Sequence, residues 1–227
     1  RGVGIIDTIH LMEVAQGILC TETAGCVKEE ELKKVKGWFS AYINWLTTHP
    51  YGLAEMNAKN NHATCWVMQV ASFAKLTGDS NVMNNCRERY KKVLLPEQMA
   101  ADGSFPEELS RTKPYAYSLF NLDAMVTTCQ ILSTKEDNLW EYSTEKGQNI
   151  KKGIDFMFPY IKDKTKWPYK KDIMYWEEWP IAQPSLLFAA VYYKNQSYYD
   201  LWKSLNHEIT NPEVERNCPI RNPLIWL

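Results

Sequence analysis

Apolar residues recur at helical spacing from one end of this chain to the other, and that recurrence limits the folds open to it more than any other feature. Ile5, Ile6, Ile9, Met12, Ile18 and Leu19 form one series, ended by Thr21 to Gly25. Leu32, Val35, Trp38, Phe39, Tyr42, Ile43 and Leu46 form a second across Glu29 to Thr47, broken by His49-Pro50-Tyr51-Gly52. A third helix is predicted from about Asn61 to Leu76, stopped by Thr77-Gly78-Asp79. A fourth follows to about Leu95, where Pro96 closes it. Later helices are expected from about Tyr115 to Leu132, Glu145 to Tyr160, Pro184 to Tyr193 and Tyr198 to His207, before a Pro-containing tail. Nothing reads as a series of β-strands, and no sharp repeat appears. The expected fold class is all-α, an α/α toroid or incomplete barrel of antiparallel helix hairpins, with residues 1–227 as a single domain. In such arrays the loops at one end build the site.

Charge narrows the function. The chain carries 26 basic and 27 acidic residues, a net charge of −1, which argues against nucleic acid as a partner. It leaves room for a polyanionic sugar, which needs only a local basic cleft. No run of about 18 apolar residues occurs, so no membrane partner is expected. Six cysteines are spread out without a C-x-x-C pair, so zinc spacing is missing and no metal or other cofactor is expected. Cys20 and Cys26 are placed to pair across a turn or to remain thiols, and the spacing leaves both open. The sequon Asn195-Gln196-Ser197 is compatible with export, in line with a secreted or periplasmic location. The chain starts at Arg1 and reads as helix almost at once, as a processed or partial chain would.

Two stretches depart from plain helix. Asn60-Asn61-His62-Ala63-Thr64-Cys65-Trp66 opens the third helix, and either Asn is a good N-cap. Residues 96–114 form a long connection with turn chemistry at Asp102-Gly103-Ser104-Phe105-Pro106, and such loops in compact domains are more often functional than idle. It leads through Arg111 and Lys113 to Tyr115 and Tyr117. Taken singly, these residues read as caps, solvated charges and core aromatics. His10 and His207 read as structural, and His49 as a turn residue.

Taken together and in order, Asn60-Asn61-His62, Asp102-Gly103-Ser104, Glu108-Leu109-Ser110-Arg111-Thr112 and Tyr117 resemble the alginate-lyase-like superfamily of polysaccharide lyases. The resemblance is closest to the endo-β-1,4-glucuronan lyases. Gly4-Ile5-Ile6-Asp7-Thr8-Ile9-His10 and Trp176-Glu177-Glu178-Trp179-Pro180 extend it over most of the chain. It implies cleavage of a uronic-acid polymer by β-elimination, with an anionic polysaccharide as partner. Members of that family carry a further helical region ahead of the counterpart of Arg1. The chain is therefore expected to be the C-terminal part of a longer catalytic domain, partnered by an N-terminal segment of the same protein.

Elimination removes the proton at carbon 5, beside a carboxylate, and expels the oxygen at carbon 4. The carboxylate must be neutralised as charge builds, and preorganised donors in a water-poor cleft do this best. By donor inventory and by resemblance, Asn61 and Arg111 suit that role, with His62 assisting. A nearby cation favours the phenolate form of a tyrosine, so Tyr117 beside Arg111 is the candidate acid and base. For D-glucuronate or D-mannuronate the proton and the leaving oxygen share a ring face, and one residue can serve both. For L-guluronate they lie on opposite faces, and His62 becomes the base. Asn60, Trp66, Lys113, Tyr115, Trp176 and Trp179 are expected to line the substrate subsites. Two other readings remain: a non-catalytic carbohydrate-binding α/α domain, and a helical glycoside hydrolase using Glu177 or Glu178.

Overall fold

The computed structural model describes Gly2 to Leu227. A 3-10 segment, Gly2–Thr8, leads into α1 (Leu11–Thr23), α2 (Glu29–Thr48), α3 (Pro50–Met56), α4 (Asn61–Thr77) and α5 (Ser80–Arg89). A π turn, Tyr90–Leu94, connects to the short α6 (Leu95–Gln98) and α7 (Pro106–Leu109). Then come α8 (Pro114–Leu132), α9 (Ile150–Lys162), α10 (Pro184–Tyr193), α11 (Gln196–Ser204) and α12 (Pro212–Arg216). Among the described residues the sole β pairing is an isolated bridge between Ile181 and Asn206.

The burial pattern explains the layering. α4 and α8 are apolar around most of their circumference and buried along most of their length, as central helices must be. They pack on each other; α1, α2 and α5 surround α4, while α9 and α10 lie on α8. α10 in turn pairs with α11, giving an open α/α toroid of helix pairs. The outer helices bury one stripe only: α2 does so through Phe39, Ile43 and Leu46, and α9 through Ile150, Ile154, Met157 and Ile161. Asparagine and aspartate side chains start many of these helices, with Asn60, Asp79, Asn149, Asn195 and Asn211 each accepting from a first-turn N–H. Gly78, at φ 76°, ends α4 in the left-handed conformation glycine favours.

Three expectations shift. His49-Pro50-Tyr51-Gly52 does not open a loop: His49 Nδ1 accepts from Tyr51 N, and α3 begins at once. Gly52 sits so close to the end of α2 that a Cβ would lie 2.2 Å from the Leu46 carbonyl oxygen. Pro96 does not close the fourth helix, because the π turn resets the hydrogen-bond register and leaves Pro96 in the first turn of α6, where its missing N–H costs nothing. The helix expected from Glu145 starts at Ile150, after Asn149 caps it. Cys20 and Cys26 are free and exposed, and the other four cysteines are buried thiols. Among the described residues no single helix is long and apolar enough to cross a membrane, although the bent pair Gly2–Thr8 and Leu11–Thr23 reaches that composition jointly.

The last residues fold back over the first. Glu13 Oε1 accepts from Arg221 N at 2.9 Å and from Asn222 N, and Gln16 Nε2 donates to the Ile225 carbonyl at 2.7 Å. Gln130 of α8 holds the Trp226 carbonyl at 2.8 Å. α12 is thereby fixed beside the Gly2–Thr8 segment, where Arg216 reaches Asp7 at 3.4 Å.

Asp123 of α8 is enclosed and accepts from Ser185 N at the start of α10. Burial pushes its carboxyl up to about 7, against the lowering effect of the neighbouring Ser185. Its folded value lies above the unfolded value of about 4, so the folded state holds the extra proton between these limits. Stability should therefore fall as pH rises through that window. Asp123→Asn, neutral throughout, is expected to flatten the fall, read as melting temperature from acid to neutral pH. An unchanged slope would show that Asp123 ionises freely.

Candidate active site

Asn61 occupies the first turn of α4, where backbone N–H groups lack helical partners. Its N–H donates to Glu108 Oε1 at 2.6 Å, and its Nδ2 donates to Glu108 Oε2 at 2.9 Å. Glu108, from α7, is fully enclosed, and Arg111 Nη1 donates to its Oε2 at 3.1 Å. One buried carboxylate thus fixes the amide of Asn61 and the guanidinium of Arg111. Burial raises the Glu108 carboxyl above its usual range, while Arg111 and the Asn61 donors pull it back.

The Asp102-Gly103-Ser104 turn places α7. Asp102 Oδ1 accepts from both Ser104 N and Ser104 Oγ. Gly103 has φ 92°, and a Cβ there would lie 2.2 Å from the Lys152 carbonyl oxygen of α9. The loop therefore packs flush against α9, and α7 follows directly.

Beyond α7 the chain turns into α8, whose first turn carries Tyr117. The Arg111 guanidinium lies over the Tyr117 ring at 3.5 Å from its centroid. The α8 N-terminus is itself anchored, because Asp172 accepts from Tyr115 N and Ala116 N at 2.8 and 3.0 Å. His62 follows Asn61 on α4, and its Nδ1 stands 2.6 Å from Glu55 Oε1.

Asn61, His62, Arg111 and Tyr117 all line one cleft of 280 Å³. The Gly2–Thr8 segment lines it through Val3, Gly4, Ile6 and Asp7, and the tail through Arg216 and Asn217. Arg216 is half exposed and bridges Glu213 and Asp7. The cleft therefore offers two guanidinium groups, an imidazole, a phenol and two amides. Among the described residues no cluster of three or more His, Cys, Asp or Glu suits a metal ion.

The expected subsite residues fare differently. Asn60 caps α4, its Oδ1 accepting from His62 N at 3.3 Å. Trp66 is buried and donates Nε1–H to the Leu46 carbonyl, away from the cleft. Tyr115 is enclosed, with its hydroxyl donating to the Tyr160 carbonyl. Trp179 is buried as well. Lys113 is buried and paired with Glu213 at 2.5 Å, its ammonium 5.0 Å from the Tyr117 ring centroid. Trp176 is half-buried against Tyr115 and lines a separate open hollow with Tyr175 and Asn211. Glu177 and Glu178 lie on the same exposed 3-10 turn, with Glu177 facing Lys164, and neither reaches the cleft. Glu55, Arg216 and Asn217 were not singled out in the sequence. Glu108 stood in the quoted motif without a role.

The sequence profile of the alginate lyase family matches residues 1–167. The chain belongs to the alginate lyase family. Among solved structures, an alginate lyase from Bacteroides ovatus, crystallised at 1.60 Å resolution, is similar at a TM-score of 0.81 and 27% identity. That match covers 100% of this chain and 58% of the other, so the chain spans less than two thirds of its relative's length. No curated protein matches the sequence.

Proposed function

We propose that this chain carries the catalytic centre of a polysaccharide lyase that cleaves a uronic-acid polymer by β-elimination. The observation that carries the reading is the Arg111–Tyr117 stack beside an Asn61–Glu108–Arg111 clamp, all opening on one cleft with His62. The solved Bacteroides ovatus relative is described as an alginate lyase, which supports a uronan as substrate.

In this mechanism the free amide face of Asn61, the Arg111 guanidinium and the His62 ring receive the carboxylate of the reacting sugar. Their donors become most effective as the second negative charge develops on the enolate. The Tyr117 oxygen takes the carbon-5 proton. The electron pair forms the carbon 4–carbon 5 double bond, the carbon 4–oxygen bond breaks, and the leaving oxygen receives the proton back from Tyr117. Both transfers occur on one ring face, which fits D-glucuronate or D-mannuronate. Glucuronan and mannuronate-rich alginate are accordingly the proposed substrates. Arg216, at the rim, is placed to meet the carboxylate of a neighbouring sugar.

The test is the ultraviolet absorbance of the conjugated double bond when the protein meets glucuronan, polymannuronate and polyguluronate separately. Rising absorbance with the first two is expected. Oligosaccharide binding with flat traces would replace the reading with a non-catalytic carbohydrate-binding domain. Saturated fragments would point to hydrolysis.

A further inference from the structure

The helix that carries Tyr117 begins without a cap of its own. Its N-cap position is Lys113, whose side chain makes no capping hydrogen bond, and Pro114 follows with no N–H to satisfy. The next two N–H groups, at Tyr115 and Ala116, lie in the buried start of α8 and have no acceptor within the helix. Tyr117 N–H is the first to find one, donating to the Lys113 carbonyl at 2.9 Å. A buried N–H left unpaired is costly, so the two orphans need an acceptor from another part of the chain.

The connection between α9 and α10 supplies it. Asp172, with 6% of its surface exposed, gives one oxygen to each N–H. Its Oδ1 accepts from Tyr115 N at 2.8 Å and its Oδ2 from Ala116 N at 3.0 Å. The next residue, Ile173, donates its N–H to the Thr112 carbonyl at 3.1 Å, so the turn is gripped on both sides of Lys113-Pro114. Trp167 and Trp176, which flank Asp172 in sequence, both pack on the Tyr115 ring, with centroids 5.1 and 5.4 Å away. Lys164 fastens the far end of this strap, donating to the Trp176 and Trp179 carbonyls at 2.7 and 2.8 Å. A carboxylate also suits the positive end of a 19-residue helix.

We propose that Asp172 is the positioning residue for Tyr117, providing from a distant strap the cap that α8 lacks and so holding in place the turn that carries the phenol; this rests on the elimination reading. Asp172 does not line the cleft and acts through the start of α8 alone. Glu108 has the matching task on the other side of the reacting sugar, where it places Asn61 and Arg111. The two carboxylates therefore act on different steps: one sets the group that moves the proton, the other the groups that receive the sugar carboxylate.

Asp172→Asn tests this division. Asparagine keeps the size of the side chain and one acceptor, but its amide nitrogen cannot accept, so one of the two N–H groups loses its partner. Hydrogen exchange followed by NMR is expected to quicken by at least about tenfold at Tyr115 or Ala116, and to stay as in the parent within α4. On glucuronan or polymannuronate kcat is expected to fall about tenfold to a hundredfold, the scale on which a small misplacement of a reacting group is felt. KM should stay close to that of the parent, because Asn61, His62 and Arg111 are set from α4 and α7, which Asp172 does not touch. A cap with a structural role only would quicken exchange and leave kcat unchanged, and that result overturns the proposal. So does unchanged exchange at both amides, or a rise in KM that matches the fall in kcat, since the whole cleft would then have loosened. A parent protein that releases no unsaturated product from any uronan removes the elimination reading itself, and the exchange comparison, which needs no turnover, keeps the two failures apart.

Discussion

Tyr117→Phe is expected to abolish release of unsaturated product while leaving the fold and polymer binding in place. Phenylalanine keeps the ring on which the Arg111 guanidinium lies, so the stack and the local packing persist. Only the oxygen that is proposed to accept and return the proton is lost. Acid–base groups contribute about 10²- to 10⁴-fold each, and here one oxygen serves both transfers, so a fall of at least about 10⁴-fold in kcat is expected. KM should move little, because the proposed mechanism assigns the sugar carboxylate to Asn61, Arg111 and His62, which the substitution leaves in place. Steady-state rates at the unsaturated-product band, with far-ultraviolet circular dichroism as the control for folding, make the check. A variant keeping more than a tenth of the parent rate would remove Tyr117 from the chemistry.

The second large effect is expected at Glu108. Its two oxygens receive Asn61 N–H and Asn61 Nδ2–H out of solvent, and an N–H from the partly exposed Arg111. Glu108→Gln substitutes an amide nitrogen for one acceptor, so a donor faces a donor. It also removes the negative charge beside Arg111. Breaking one side of a fully buried ionic pair costs about 3–5 kcal/mol, and here the cost is smaller because water reaches part of the Arg111 side chain. A clear drop in melting temperature is therefore expected, unlike the outcome at Tyr117. Activity should fall by at least about a hundredfold, since displaced donors lose the preorganisation that gives such groups their effect. Rates and thermal melts of the same preparation separate the two consequences. Wild-type kinetics in Glu108→Gln would show that Asn61 and Arg111 are placed by something else.

The helices were readable because apolar spacing and capping side chains act over one or two turns, and those interactions survive in the fold. Asn60 illustrates this: an N-cap by type, it is an N-cap in the structure. The grouping of Asn61, His62, Arg111 and Tyr117 came from their ordered combination, and the fold does bring them to one cleft. The aromatic residues were less legible. Trp66, Tyr115 and Trp179 differ from a sugar platform only in which way they face, and helical periodicity does not say whether a helix is buried on one side or on all. α4 is buried nearly all round, so Trp66 had no open face. Glu55 and Glu108 were opaque for another reason. Each meets its partner on a different element, and the Asn61–Glu108 contact spans 47 positions. A carboxylate in a helical sequence looks like a solvated one until its partner is known.

The fold-back of the tail has a consequence for time. Arg216 and Asn217 form their part of the cleft only when α12 is fastened to residues some two hundred positions earlier, through contacts such as Arg216–Asp7 and Asn222–Glu13 with separations of 209. Contacts so distant in sequence are slow to form, whereas those within α4, α5 and their neighbours are quick. The inner pair of helices and the Glu108 clamp can assemble while one flank of the cleft is still open. The cleft is complete only once these distant contacts have closed.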